Sequence, residues 1–177
     1  MKSNRIWYQD GLRDGVPIAL GYFAVAFTLG IAARNAGFSA FQAAASSLLN
    51  HASAGEYAVI SLVAAGAGYW EMALMALVSN ARYLLMSCSL SQKLAPDAPL
   101  VHRALVGFGI TDEIFGISAA VPDRLNPFYT YGAMSVSIPS LALGTFLGEV
   151  LGNVLPPRLG SALSVGLYGM FLAIIVP

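Results

Sequence analysis

The residues best placed to do chemistry are the few ionisable side chains set inside long apolar stretches. Arg82 follows Asn80 near the middle of an apolar segment at 71–91. Asp112 and Glu113 stand side by side near the middle of another at 103–121, within Gly109-Ile110-Thr111-Asp112-Glu113. His51 and Glu56 lie in a polar stretch, Asn50-His51-Ala52-Ser53-Ala54-Gly55-Glu56, between two half-length apolar segments at 39–50 and 57–68. A charge at the centre of a bilayer helix costs about 2.5–3.5 kcal/mol, so such residues are functional candidates by default. A guanidinium suits a carboxylate ligand, and Asp112, Glu113 or Glu56 suits an ammonium group or a coupling proton. Two adjacent carboxylates in a low dielectric do not ionise together readily, which leaves one able to hold a proton.

Structural roles compete with these. Ser53-Ala54-Gly55-Glu56 fits the capping box S-x-x-E at the start of helix 57–68. The same helix start offers free amides and partial positive charge, so Ser53, Gly55 and Glu56 also read as an anchor for a substrate carboxylate. Arg82 can serve simply as the ion-pair partner of Asp112 or Glu113. Asn80 and Arg82, two positions apart, point about 200° away from each other on a regular helix, so one faces the site unless the helix unwinds. His51 reads as a hydrogen-bonding residue, since no second His or Cys lies at ligand spacing, and His102 reads as a solvated flank. No metal site and no cofactor are expected, and no Walker-type phosphate loop is present.

The elements that must hold these residues follow from composition. Of 177 residues 57% are hydrophobic and 10% charged, with nine Lys+Arg balanced by nine Asp+Glu. A soluble domain is about 25% charged, and this apolar surplus exceeds what one core of this length buries. The same numbers exclude disorder and leave no basic footprint for nucleic acid. One cysteine, Cys88, excludes a disulfide framework. The chain reads as an all-α integral membrane protein, a single transmembrane domain over 1–177 formed as a polytopic helical bundle of about five to six spans. Apolar segments run at 17–33, 71–91, 103–121, 128–151 and 160–176, with the pair 39–50 and 57–68 between the first two. The first sixteen residues carry scattered charges and no cleavage site, unlike a signal peptide.

The pair at 39–68 is either one interrupted helix that crosses once or a re-entrant hairpin. Lys and Arg near span ends favour the cytoplasm. With the N-terminus inside, re-entry places Lys2, Arg5, Arg13, Lys93, Arg103 and Arg158 inside and only Arg34 and Arg124 outside. A crossing divides these residues evenly. Charge placement therefore favours the hairpin and a cytoplasmic N-terminus; the expected location is the plasma (inner) membrane. Gly144, Gly148 and Gly152 form a small-residue seam for close helix packing or for docking a partner. Gly66-Ala67-Gly68 and Gly107-Phe108-Gly109 read as packing or bending sites, and Pro139 should kink its span. Broken helices with charged groups near mid-membrane are what secondary transporters use for substrate and ion sites.

Four blocks resemble a known family, the AzlC-type branched-chain amino-acid permeases, large subunits of two-component exporters. The blocks are Gly11-Leu12-Arg13-Asp14-Gly15-Val16-Pro17 through Tyr22, the small residues ahead of Glu56-Tyr57, Asn80-Ala81-Arg82-Tyr83 with Ser87-Cys88-Ser89-Leu90, and Thr111-Asp112-Glu113. The family commonly has Gln-Phe where Glu56-Tyr57 stand, and often His where Tyr83 stands. The resemblance implies a longer C-terminus than this chain carries and a small AzlD-like membrane subunit as partner. It also implies a non-enzymatic role: export of branched-chain or similar apolar amino acids, driven by an ion gradient. On this reading Ser53, Gly55, Glu56, Asn80 and Arg82 contact substrate, while Asp112 and Glu113 couple to protons. A non-transporting assembly subunit is the alternative. An intramembrane hydrolase using Ser118 with His51 or His102 is a third reading.

Overall fold

A computed structural model describes residues 3–152 and 154. The expected segment at 160–176 lies outside the described residues. The described part is all-α, with helices α1 (Asn4–Asn35), α2 (Ala40–Asn50), α3 (Ser53–Ala64), α4 (Tyr69–Lys93), α5 (Leu100–Phe108), α6 (Asp112–Ala120) and α7 (Pro127–Leu151). Three of these, α1, α4 and α7, are long and apolar enough to cross a membrane. At 1.5 Å per residue, the 25 residues of α4 or α7 cover a hydrocarbon core of about 30 Å. The four short helices reach only part of the way. Five to six spans are therefore not established among the described residues, whereas the all-α membrane class is. Leu74, Leu77, Val78, Leu84 and Leu85 of α4 are exposed, an apolar surface that suits acyl chains rather than water. Tyr69 and Trp70, also exposed, stand at its start, where interfacial aromatics anchor.

Three expectations are corrected. The N-terminal helix begins at Asn4, well before residue 17, and carries Arg5, Asp10, Arg13 and Asp14 within it. The helix after the polar stretch starts at Ser53 and ends at Ala64 rather than spanning 57–68. The segment 103–121 is not one helix: it breaks at 109–111 into α5 and α6. Gly109 ends α5, and the extended Thr111 caps α6 by accepting a hydrogen bond from the Ile114 amide at 3.3 Å.

The chain divides into two units. One holds 1–20 and 80–139, the other 21–79 and 140–177. In the second, α2 and α3 form an antiparallel hairpin. Ala43 and Ile60 share a core cluster with Ala33, and Gln42 and Val63 line one cavity with Gly37 and Phe38. The start of α2 thus lies beside the end of α3, as the re-entrant reading requires. Ser39 and Gln42 complete a capping box at the start of α2, and His51 ends α2 in the left-handed region at φ 47°. In the first unit, α5 and α6 turn back likewise. Arg103, near the start of α5, donates to the Ser91 and Ala95 carbonyls, while Lys93 reaches the carbonyls of Ala119 and Val121 at the end of α6. Both ends of this hairpin therefore lie at the C-terminal end of α4.

Within each unit α1 and α7 pack backbone to backbone. A Cβ at Gly11 would run into the Tyr129 carbonyl, and one at Gly148 into the Phe27 carbonyl. Gly144 and Gly152 meet Phe23 and Ile31, so the glycine seam is used inside the chain. Arg34, in the last turn of α1, closes the second unit by pairing with Glu149 at 3.5 Å and donating to its backbone carbonyl at 2.6 Å.

Gly148→Leu should lower unfolding free energy by about 1–3 kcal/mol through overpacking. Gly21→Ala, where a Cβ meets no atom within 4 Å, should be neutral or mildly stabilising. Thermal unfolding of both in detergent checks this, and equal effects would contradict the packing assignment.

Candidate functional site

In the first unit α4 stays regular through residues 80–82, so Asn80 and Arg82 point apart and only Arg82 joins the ion pair. Arg82 Nη1 lies 2.8 Å from Asp112 Oδ2. The pair is half-buried, with side chains 32% and 23% exposed. Arg82 Nη2 donates to the Tyr83 hydroxyl at 3.2 Å, and its guanidinium carbon stands 5.1 Å from that ring centre. Asp112 and Glu113 occupy the first turn of α6, where the helix dipole favours negative charge. An oppositely charged pair at a helix start, inside an apolar bundle, matches the two ends of a zwitterion.

In the second unit Glu56 is fully buried, yet its contacts are hydroxyls rather than a base. Ser47 Oγ donates to its carboxyl oxygens at 2.8 and 3.0 Å, and Ser46 assists. Ser47 Oγ also lies 2.6 Å from Thr145 Oγ1, whose single hydroxyl proton goes either to Ser47 or to the Leu141 carbonyl 3.1 Å away. Ser47 and Thr145 are completely buried. The expected capping box is absent: the cap of α3 is Ala52, with no side-chain hydrogen bond, and Glu56 turns across the hairpin to α2 instead. Ser53 and Gly55 sit in the first turn of α3 and take no part in the hydrogen bonds of this cluster. Ser47 and Thr145 are thus site residues that sequence reasoning missed. The available signal was Ser46-Ser47 in the middle of an alanine-rich helix whose other polar residues, Gln42 and Asn50, lie at its ends.

The histidines and Ser118 fall elsewhere. His102 is a half-buried partner of Tyr131, with Nδ1 2.8 Å from its hydroxyl, rather than a solvated flank. His51 is buried at the turn between α2 and α3. The buried Ser118 hydroxyl faces Thr130 Oγ1 at 3.4 Å, not a histidine. Among the described residues no group of His, Cys, Asp and Glu could hold a metal ion.

The hydroxyl cluster makes a stability prediction. Ser47→Ala should cost about 1–3 kcal/mol, because it strips a buried carboxyl group of its donor, whereas adding Glu56→Leu removes both partners and should recover most of the loss. Denaturant midpoints of the single and double variants in detergent check this. A silent Ser47→Ala would contradict the assignment.

The AzlC protein family model matches residues 17–155. The chain is 28% identical to the inner membrane protein YgaZ of Escherichia coli over 176 residues, covering 96% of this chain and 72% of that protein. It is 32% identical over 181 residues to an uncharacterized membrane protein of Archaeoglobus fulgidus, covering 99% of this chain and 77% of the relative. No solved structure matches. The chain belongs to the AzlC protein family.

Proposed function

We propose that the protein is a transport subunit that exports branched-chain or similar apolar amino acids, driven by protons. It would work as a multi-pass protein of the inner membrane with a cytoplasmic N-terminus and a small AzlD-like subunit. The observation that carries this reading is the Arg82–Asp112 ion pair at 2.8 Å at the start of a half-length helix. Burying such a pair is expensive unless its charges are matched, and a zwitterion is the ligand that can enter without leaving either charge alone. Apolar side chains dominate the surrounding helices, so a hydrophobic side chain is accommodated while a charged one is penalised.

Glu113, next to the pair, holds the coupling proton on this reading. Glu56 is a second protonatable group of a different kind, since a carboxyl group held only by hydroxyls is least costly in its neutral form. The first-turn amides of α3 around Ser53 and Gly55 supply a further anchor for anionic groups, and Asn80 serves packing on the opposite face of α4. The inner-membrane location draws support from the Escherichia coli relative YgaZ, an inner membrane protein.

Proteoliposomes containing both subunits, loaded with labelled leucine, valine or methionine, test the proposal under an imposed pH gradient. Arg82→Gln should slow leucine efflux about tenfold or more, the loss expected for one charge-assisted contact. Glu113→Gln should insert normally and transport without pH dependence. Wild-type pH dependence in that variant would remove Glu113 from the mechanism. Absence of flux with the partner present would leave the assembly-subunit reading in its place.

A further inference from the structure

The Gly11–Pro17 motif has no part in the ion pair, yet its side chains line a cavity of about 480 Å³ in the first unit. Arg13 and Asp14 on α1 share this cavity with Trp7 and Asp10, one turn earlier, and with Tyr129 of α7. Ile117 and its neighbours at the end of α6 form an apolar wall. Trp7 and Tyr129 meet edge to face at 6.2 Å, and the Tyr129 hydroxyl donates to Asp14 Oδ2 at 2.7 Å. That bond holds one carboxyl oxygen of Asp14, whose side chain is exposed where it lines the cavity. Arg13 makes no hydrogen bond or ion pair among the described residues.

We propose that this cavity is a binding station for the charged head of a free amino acid. Arg13 takes the carboxylate through its planar fork. Asp14 and Asp10 take the ammonium beside the faces of Trp7 and Tyr129, which attract cations. The apolar wall receives the side chain. The volume suits one small ligand, since small-molecule sites span about 300–1,000 Å³. Placement strengthens the case. The cavity meets α6 at its C-terminal end, and Asp112 begins the same nine-residue helix, which at 1.5 Å per residue is a separation of about 12 Å. One short helix thus links a vestibule to the Arg82–Asp112 pair, giving two stations on one route. This rests on the reading of the protein as an amino-acid transporter and adds where the substrate is first received.

The phosphate and ammonium of a phosphatidylethanolamine headgroup present the same paired charges, so the test must separate the two sources. Trp7 and Trp70 are the two tryptophans, and Trp70→Phe leaves Trp7 as the reporter. In phosphatidylcholine nanodiscs, L-leucine should change Trp7 fluorescence saturably. Arg13→Gln and Asp14→Asn should each weaken the response about tenfold or more, with isocaproate and isoamylamine, which lack one charge each, also weaker. Arg82→Gln should keep the response while losing transport. A response to added phosphatidylethanolamine but not to leucine overturns the proposal, as does a response unchanged in both vestibule variants. Leucine flux without any Trp7 response sinks the vestibule and leaves the transport reading standing. A response without flux does the reverse.

Discussion

Everything in this fold follows from one constraint: in hydrocarbon, a backbone group or charge without a partner has no water to turn to. A helix can therefore stop partway only where its freed ends are met from within the protein. Both interruptions here satisfy that condition by doubling back. At the first break His51 turns the chain back in the left-handed region while its amide donates to the Ser47 carbonyl, and at the second Thr111 accepts from the Ile114 amide. Lys93 takes the last carbonyls of α6, an arrangement that also pins the end of α4 to that hairpin. The breaks are thus built features, and Glu56, Asp112 and Glu113 lie within about one turn of them.

The two hairpins make a carboxyl group tolerable in different ways. Asp112 is matched by a cation, and both side chains of the pair stay partly exposed. Glu56 is matched by hydroxyls that either donate to it or accept from it, so the cluster accommodates the charged and the neutral acid with the same heavy-atom positions. Pro17 and Pro139 each remove a helix hydrogen bond close to where α1 and α7 pass from one unit into the other.

Much of this was legible in the residues. Scarcity of charge identified the membrane class, and the positions of the few buried charges pointed to Arg82, Asp112, Glu113 and Glu56. The charge count favours a hairpin over a crossing at 39–68, and α2 and α3 pack antiparallel. The break at 109–111 was misread because apolar flanks on both sides mimic a continuous span. Yet Gly109, the cap Thr111 and two acids in the next turn form a helix-start signature. The capping box at Ser53–Glu56 failed for a tertiary reason: Ser47 offers Glu56 a hydrogen bond across the hairpin, and local pattern cannot register a residue nine positions away. Thr145 was hidden in a glycine-rich stretch that reads as packing alone.

The account stands or falls on the first hairpin returning to the side it left. Single cysteines in a Cys88→Ser background settle this by labelling with a membrane-impermeant thiol reagent in oriented vesicles. Asn35→Cys, at the end of α1, and Ala65→Cys, just past α3, both lie at exposed positions. The account predicts that both react from the same face of the membrane. Reaction from opposite faces would mean that 39–68 crosses, and the arrangement of Glu56 described here would not be the one in the membrane.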